Sequence, residues 1–421
     1  MAITRRTFTK AAGAAFAFPV IIPSRVLGAE APSKRITLGK IGVGIHGASV
    51  NLPNFLSQPD AHILAVCDTF RHRAEKAKQA VDNAYGNTDC KMYQDFRHII
   101  ADKSIDALVI STPDHWHIPM SLMGLEAGKD IFSEKPTKFI SEGLALNEAM
   151  KRHNAVYQVG LEDRSFQYYH KIVEWCRNGA IGDVQRIEVT LPKFAVLPPP
   201  REDPIPEDLD YNLFCGPAAL VPYNDAYARR WWRCVRNFAY GSLLDWGAHL
   251  FDTAQLCANA PDICPVEIEG KGEVPENSLM DVPVTFDVNL TYSNGVTINV
   301  ATEGTGIKII GSKGWISSKA WNDQLEASDD AILRTKYKPE ESKYHPIPKN
   351  EQRNFLDCVK SRQLTTYPAS TMHTIHVGLH AADIAMYLGR KVKWDNATNQ
   401  FINDPEANAL ATAPAPRTWE R

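Results

Sequence analysis

The chain has 421 residues with 46 Lys+Arg against 49 Asp+Glu, a formal net charge of -3, and 44% hydrophobic residues. That length exceeds what one hydrophobic core organises and predicts two domains, while the balanced charge, with no basic run beyond the first residues, argues against nucleic acid as a partner. The 8 cysteines are scattered without a C-x-x-C pair or zinc-ligand spacing, which predicts buried thiols and no metal site.

The N-terminus reads TRRTFTK from Thr4 to Lys10, followed by an uncharged Ala-rich run from Ala11 to Ile22. Adjacent arginines with Phe8 and Lys10 at fixed offsets look like a twin-arginine export signal. The apolar run spans 12 residues before Pro23, short of the roughly 20 a spanning helix needs, and Ala29-Glu30-Ala31 has the small-x-small form of a cleavage site. Residues 1–31 are therefore read as a removable signal. The twin-arginine machinery is then a partner, the mature protein is periplasmic or extracytoplasmic, and no stable membrane insertion is expected after cleavage.

From Ile36 an apolar strand runs into Gly42-x-Gly44-x-x-Gly47 and then a helical pattern. The first two glycines permit a tight turn and close approach of a backbone to a diphosphate; the third lets helix and strand pack closely. Next comes HILAVCD, ending at Asp68 about 20 residues after the third glycine, where a carboxylate would bind a ribose 2′-hydroxyl and favour NAD. Arg71 and Arg73 follow and would tolerate NADP, or Arg73 is simply a solvated residue in the first turn of a helix over 71–84.

Strand and helix signals then alternate: DALVIS, a helix from about Ile118 to Ala127, DIFSE, a helix from Ser141 to His153, and VYQVG ending at Gly160. Such alternation predicts a parallel sheet covered on both faces, with ligands at the carboxyl ends of its strands. Two loops sit there. In STPDHWH, Thr112 and Pro113 end the strand and His115 and His117 stand near the expected cofactor, unless His117 caps the next helix. In Glu134-Lys135-Pro136, a lysine pinned by proline can polarise a substrate oxygen, and turning it inward predicts an unusual peptide at Lys135-Pro136, with cis the conformation open to X-Pro bonds.

Beyond Gly160 the period changes. Phe286, Val288, Leu290 and Tyr292 alternate towards Asn294-Gly295, followed by Val296, Ile298 and Val300, a hairpin pattern. With GIKIIGS and GWISS this predicts an antiparallel sheet whose apolar face is covered by helices and by another subunit. Between helix and hairpin lies DWGAH. Asp245 and His249 are four apart and share a helical face, so the carboxylate either orients the imidazole as a base or serves as a cap beside a core histidine.

The glycine fingerprint, Asp68, TPDHWH, EKP and DWGAH in this order, with the tail LGRKVKWDNATNQFINDPEAN, closely resemble the Gfo/Idh/MocA family. The resemblance implies an α/β chain: an N-terminal Rossmann dinucleotide-binding domain over 34–160, then a C-terminal α+β domain over 161–421 with a large, mostly antiparallel open sheet, a helical return and tail at 351–421, and homo-oligomerisation through that sheet. It further implies that Lys135, Asp245 and His249 handle the proton while hydride passes to or from the nicotinamide, on a small carbohydrate substrate. Glu134 joins the cofactor contacts; Arg164 and Trp246 join the substrate side, as does His380 unless it is a packed helical histidine. Export would carry the enzyme away from any free nicotinamide pool, so the cofactor is expected to be tightly bound before transport.

Overall fold

The computed structural model describes residues 35–260, 263–338, 340–343 and 350–419; the expected export signal lies outside the described residues. Six strands, β1 (Ile36–Ile41), β2 (Ala61–Cys67), β3 (Lys91–Tyr93), β4 (Ala107–Ile110), β5 (Asp130–Glu134) and β6 (Tyr157–Gly160), form one sheet in the order β3-β2-β1-β4-β5-β6. All its pairings are parallel. β4 and β5 are buried along their whole length, as a sheet with helices on both faces requires. The strand order reverses between β1 and β4, which opens a crevice beyond their carboxyl ends.

A π-helical turn, Gly47–Asn51, leads into α1 (Leu52–Leu56) after β1. α2 (Arg71–Tyr85), α3 (Asp114–Glu126) and α4 (Ile140–Arg152) follow β2, β4 and β5. α3 starts four residues before the expected Ile118. Pro113 caps it with φ -62 and ψ 155, so the DHWH residues are its first turn and not a loop.

The second sheet has nine strands: β7 (Val184–Leu191), β8 (Glu267–Glu273), β9 (Thr285–Thr291), β10 (Thr297–Thr302), β11 (Ile307–Gly311), β12 (Gly314–Ser318), β13 (Leu325–Ala327), β14 (Val392–Asp395) and β15 (Gln400–Phe401), ordered β13-β12-β11-β7-β10-β9-β8-β14-β15. The hairpin expected about Asn294-Gly295 forms, with Thr297 opposite Thr291. β7 and β10 pair in parallel and the other pairings are antiparallel. Ile187, Val189, Val288, Leu290, Ile298 and Val300 are fully buried on one face, under α6 (Gly247–Cys257) and α8 (Ala369–Leu388). The chain's own helices thus supply the helical part of the cover expected for this apolar face. The opposite face carries polar rows such as Asn299, which donates to Asp287 and Asn289.

Helix α7 (Glu351–Ser361), from the expected return segment, packs into the first domain's core. Phe355 meets Phe55 and Phe132 edge-to-face at 6.3 and 5.8 Å, and Arg353 forms a forked ion pair with Asp60. All eight cysteines are buried free thiols, as their spacing predicted. Among the described residues, no helix is long and apolar enough to cross a membrane.

Candidate active site

A cleft of about 530 Å³ lies beyond the carboxyl ends of β1, β2 and β5 and is closed on its other side by loops and helices of the second domain. At one end is the glycine turn. Gly42 has φ +80, and a Cβ on Gly47 would lie 2.2 Å from the Gly42 carbonyl oxygen, so both positions exclude side chains. Asp68 is locked beside the turn: one carboxylate oxygen accepts from Val43 N–H (2.9 Å) and the other from Phe70 N–H (3.0 Å). Each oxygen keeps a lone pair for a ribose hydroxyl. Arg73 is not the solvated residue considered above. Its guanidinium lies over the Phe70 ring at 4.0 Å and donates to the Ala228 carbonyl.

Lys40 escaped sequence analysis. It is 1% exposed, and its ammonium donates to Gly42 O (2.8 Å) and Ser111 Oγ (2.6 Å). Asn51 links Ser111 Oγ (2.9 Å) to Glu134 Oε1 (2.7 Å). Burial presses the Lys40 pKa down to about 7, against the carboxylates of Glu134 and Asp68. A lysine inside a largely buried parallel strand was the available signal, because such strands read as continuous apolar runs.

Thr112, Pro113, Trp116 and His117 line the cleft. His115 does not, which corrects the expectation for it: one helical step turns its ring to the Phe214 carbonyl at 2.9 Å. Burial takes its pKa down to about 3. His117 sits between the carbonyls of Thr112 (2.8 Å) and Pro136 (3.0 Å), tying the two strand-end loops together rather than capping α3. The Thr112 hydroxyl is buried with no hydrogen-bond partner among the described residues. Together with the side-chain-free turn and Asp68, this orphaned hydroxyl fits a bound dinucleotide.

At the other end, the Lys135-Pro136 peptide is cis, as expected. Lys135 Nζ donates to Asp245 Oδ1 (2.8 Å) and to the Asp245 carbonyl (2.5 Å). Arg233 Nε donates to the other Asp245 oxygen at 3.1 Å. Burial opposes charge on Asp245, but Lys135 and Arg233 hold it well below the usual carboxylate range. Lys135 is likewise penalised by burial yet held above its ordinary value by Asp245.

Asp245 does not orient His249, which corrects the expected pairing. α5 (Gly241–Asp245) ends there and α6 starts at Gly247, with Trp246 between them, and the buried Lys135 ammonium claims the carboxylate. The partner of His249 is Asp163, fully buried in a 3-10 turn just after β6. His249 Nδ1 donates to Asp163 Oδ2 (2.6 Å), and Trp321 Nε1 donates to Asp163 Oδ1 (2.9 Å). With the proton fixed on Nδ1, the Nε2 lone pair is the basic atom. Burial opposes a charged His249, but the Asp163 carboxylate outweighs it and raises the pKa above 6.5. The rule that made TPDHWH and EKP suspect, position at a strand's carboxyl end, applies equally to Asp163.

Trp246 and Trp321 flank His249 with ring centroids 5.9 and 5.5 Å away. Glu162 also lines this end, and one carboxylate oxygen of Glu162, one of Asp163 and a ring nitrogen of His249 lie within 4.8 Å of one another; both Asp163 oxygens are already engaged by His249 and Trp321. Arg164 and His380 are absent from the cleft, so neither meets its expected substrate role. Arg164 grips Asp252 through two nitrogens (2.6 and 2.9 Å) and the Thr366 carbonyl (2.6 Å), because its turn directs it to the second domain's core. His380 is buried on α8, bound to Thr137 Oγ1 (3.2 Å) and its carbonyl (3.1 Å), with its pKa pressed by burial down to about 3.

Residues 36–161 match the oxidoreductase family's NAD-binding Rossmann fold, and residues 199–421 match its C-terminal alpha/beta domain. An uncharacterized oxidoreductase of Bacillus subtilis, YrbE, is 30% identical over 271 residues, 62% of this chain and 65% of that protein. A glycosyl hydrolase family 109 protein of Saccharopolyspora erythraea is 31% identical over 158 residues, 35% of this chain and 33% of its own length. The match thus spans less than two thirds of either relative. Among solved structures, the aldose-aldose oxidoreductase of Caulobacter crescentus shares the fold with a TM-score of 0.63 at 16% identity, covering 85% of this chain and 99% of its own. A levoglucosan dehydrogenase in complex with NADH and L-sorbose gives 0.60 at 19%, covering 85% and 98%.

Proposed function

The chain belongs to the Gfo/Idh/MocA oxidoreductase family, and on that footing we propose that it moves a hydride between a tightly held NAD and a hydroxyl-bearing carbon of a sugar, polyol or glycoside. The observation that carries this reading is one cleft lined at one end by the glycine turn and Asp68 and at the other by Lys135 and His249. When bound, the nicotinamide supplies the hydride acceptor. His249 Nε2 takes the proton of the reacting hydroxyl, and Asp163 stabilises the imidazolium that forms. Lys135, which has three N–H donors and spends two on Asp245, turns the third to the reacting oxygen and stabilises charge developing there. Trp246 and Trp321 offer flat faces to a sugar ring. Asp68 favours NAD, and Arg73, drawn off to Ala228, supports that preference over NADP. Export before use, and self-association through the large sheet, belong to the same reading.

A second reading is favoured by the glycosyl hydrolase family 109 relatives: the same oxidation made transient, followed by elimination of a substituent and return of the hydride. A panel of glycosides mixed with purified holoenzyme separates the two. Accumulating NADH or keto-sugar is expected from the first reading and a released aglycone without net redox from the second; binding with no turnover would overturn both.

The pH profile tests the base. Only unprotonated His249 can accept the proton, so kcat/KM for oxidation is expected to rise with pH through its pKa, which stands above 6.5. Asp163→Asn removes the carboxylate that raises that value, so the acid limb should shift towards lower pH while the maximum falls. An unmoved limb would show that another group is the base.

A further inference from the structure

We propose that Ala228–Arg233, reading ARRWWR, clasps the dinucleotide into the cleft, with Arg229 and Arg230 binding its diphosphate from the side opposite the glycine turn; this rests on reading the cleft as a dinucleotide site. The segment is tied down at both ends. At Ala228 the carbonyl accepts from Arg73, whose guanidinium stands 3.7 Å from where a Cβ on Gly44 would lie, above the middle of the glycine turn. At Arg233 the guanidinium binds Asp245, the acid of the Lys135 pair. The residues between those anchors therefore cross the cleft from the diphosphate end to the reacting end, and Arg229 through Arg233 all line it.

The approach behind Ala228 is fastened too. Phe70 bridges to Leu209, Arg71 N–H donates to the Asp208 carbonyl (2.9 Å), Asp210 N–H donates to the Thr69 carbonyl (3.0 Å), and His72 meets the Asp208 carboxylate at 2.5 Å. The second domain is thus laid directly on the loop that presents Asp68.

Charge identifies what the clasp holds. Arg229 and Arg230 are exposed and adjacent, and among the described residues neither has a carboxylate partner, whereas Arg233 has Asp245. Two neighbouring cations beside Arg73 repel one another unless an anion lies among them. A diphosphate on the glycine turn supplies two negative charges, and arginine's planar fork suits its oxygens. Arg229 and Arg230 adjoin the Arg73 anchor, which assigns them to the diphosphate; Trp231, Trp232 and Arg233 continue towards the substrate end. Release of the cofactor then requires the clasp to part from Arg73 and from the anion together, so the effect should fall mainly on dissociation.

The test compares wild type, Arg229→Ala/Arg230→Ala and a control, Arg186→Ala, on the outer face of the second sheet. NADH dissociation is followed by its fluorescence after mixing with excess NAD, and the nucleotide remaining after gel filtration is assayed on denatured protein. The double variant is expected to release NADH about 100-fold faster and to emerge largely empty, with wild-type melting of the cofactor-free form, while the control behaves as wild type. Unchanged dissociation overturns the clasp; unchanged dissociation with a raised KM would place the two arginines against substrate instead. If wild type itself emerges empty, tight retention fails as a reading of the enzyme, yet the ratio of NADH dissociation rates between the two proteins still decides the clasp.

Discussion

Replacing His249 by alanine is expected to lower turnover by about 100- to 10,000-fold, the usual contribution of a positioned acid-base group, with the dinucleotide still bound. His249 lies at the Asp163 end of the cleft and is hydrogen-bonded to Asp163 and not to the glycine turn, so its loss removes the proton acceptor without touching the cofactor's anchor. Lys135→Ala should cost a similar factor by a different route. It removes the donor to the reacting oxygen and leaves Asp245 with Arg233 as its remaining cation. That largely buried carboxylate has lost one of its two cations, so this variant should also melt at lower temperature; His249→Ala should do so too, because it leaves the fully buried Asp163 with Trp321 Nε1 as its remaining side-chain donor. Single-turnover absorbance at the nicotinamide band, with nucleotide content measured on the same samples, checks both. Near-normal rates in either variant would sink the assignment of that residue.

Legibility in the sequence followed the range of the contacts involved. The glycine turn, Asp68 and the hairpin at Asn294-Gly295 are set by neighbours a few residues apart or by one βαβ unit, and each stands where its spacing predicted. The partner of His249 is set by tertiary packing. A period of four promised Asp245 a shared face with the imidazole, but a buried ammonium 110 positions away binds a carboxylate more strongly than a helical neighbour does, and an acid 86 positions away took the vacated place. Arg164 and His380 failed for a related reason: each has a protein partner that saturates it, and saturation by Asp252 or Thr137 cannot be read from spacing. Helix α7 completes the first core because Phe355 adds a third ring to the edge-to-face pair of Phe55 and Phe132, a long-range contact that no local pattern carries. Lys40 could have been noticed, since a charge inside a buried strand is conspicuous, but its purpose becomes apparent only once Ser111 and the Gly42 carbonyl are found around it.

The glycine turn permits a second large effect to be predicted, and one that separates folding from binding. In Gly47→Ala the new methyl would lie 2.2 Å from the Gly42 carbonyl oxygen, 3.1 Å from its carbon and 3.2 Å from Lys40 Nζ. Two of those atoms are backbone and the third is held by Gly42 itself and Ser111, so none can step aside alone. The turn must open, at a cost of about 3 kcal/mol for an overpacked site, and the N–H groups that would meet a diphosphate move with it. Both a lower melting temperature and a cofactor affinity weakened about 100-fold are expected. Gly44→Ala is the contrasting case. Its methyl would meet only Arg73 Nη1, at 3.7 Å, so the cofactor-free protein should melt like wild type; the added group nevertheless points into the space where the diphosphate has to approach the backbone. Loss of NADH binding without loss of stability is therefore expected of Gly44→Ala, measured by fluorescence titration beside a thermal melt. Undiminished binding there would mean that the dinucleotide does not lie over this turn.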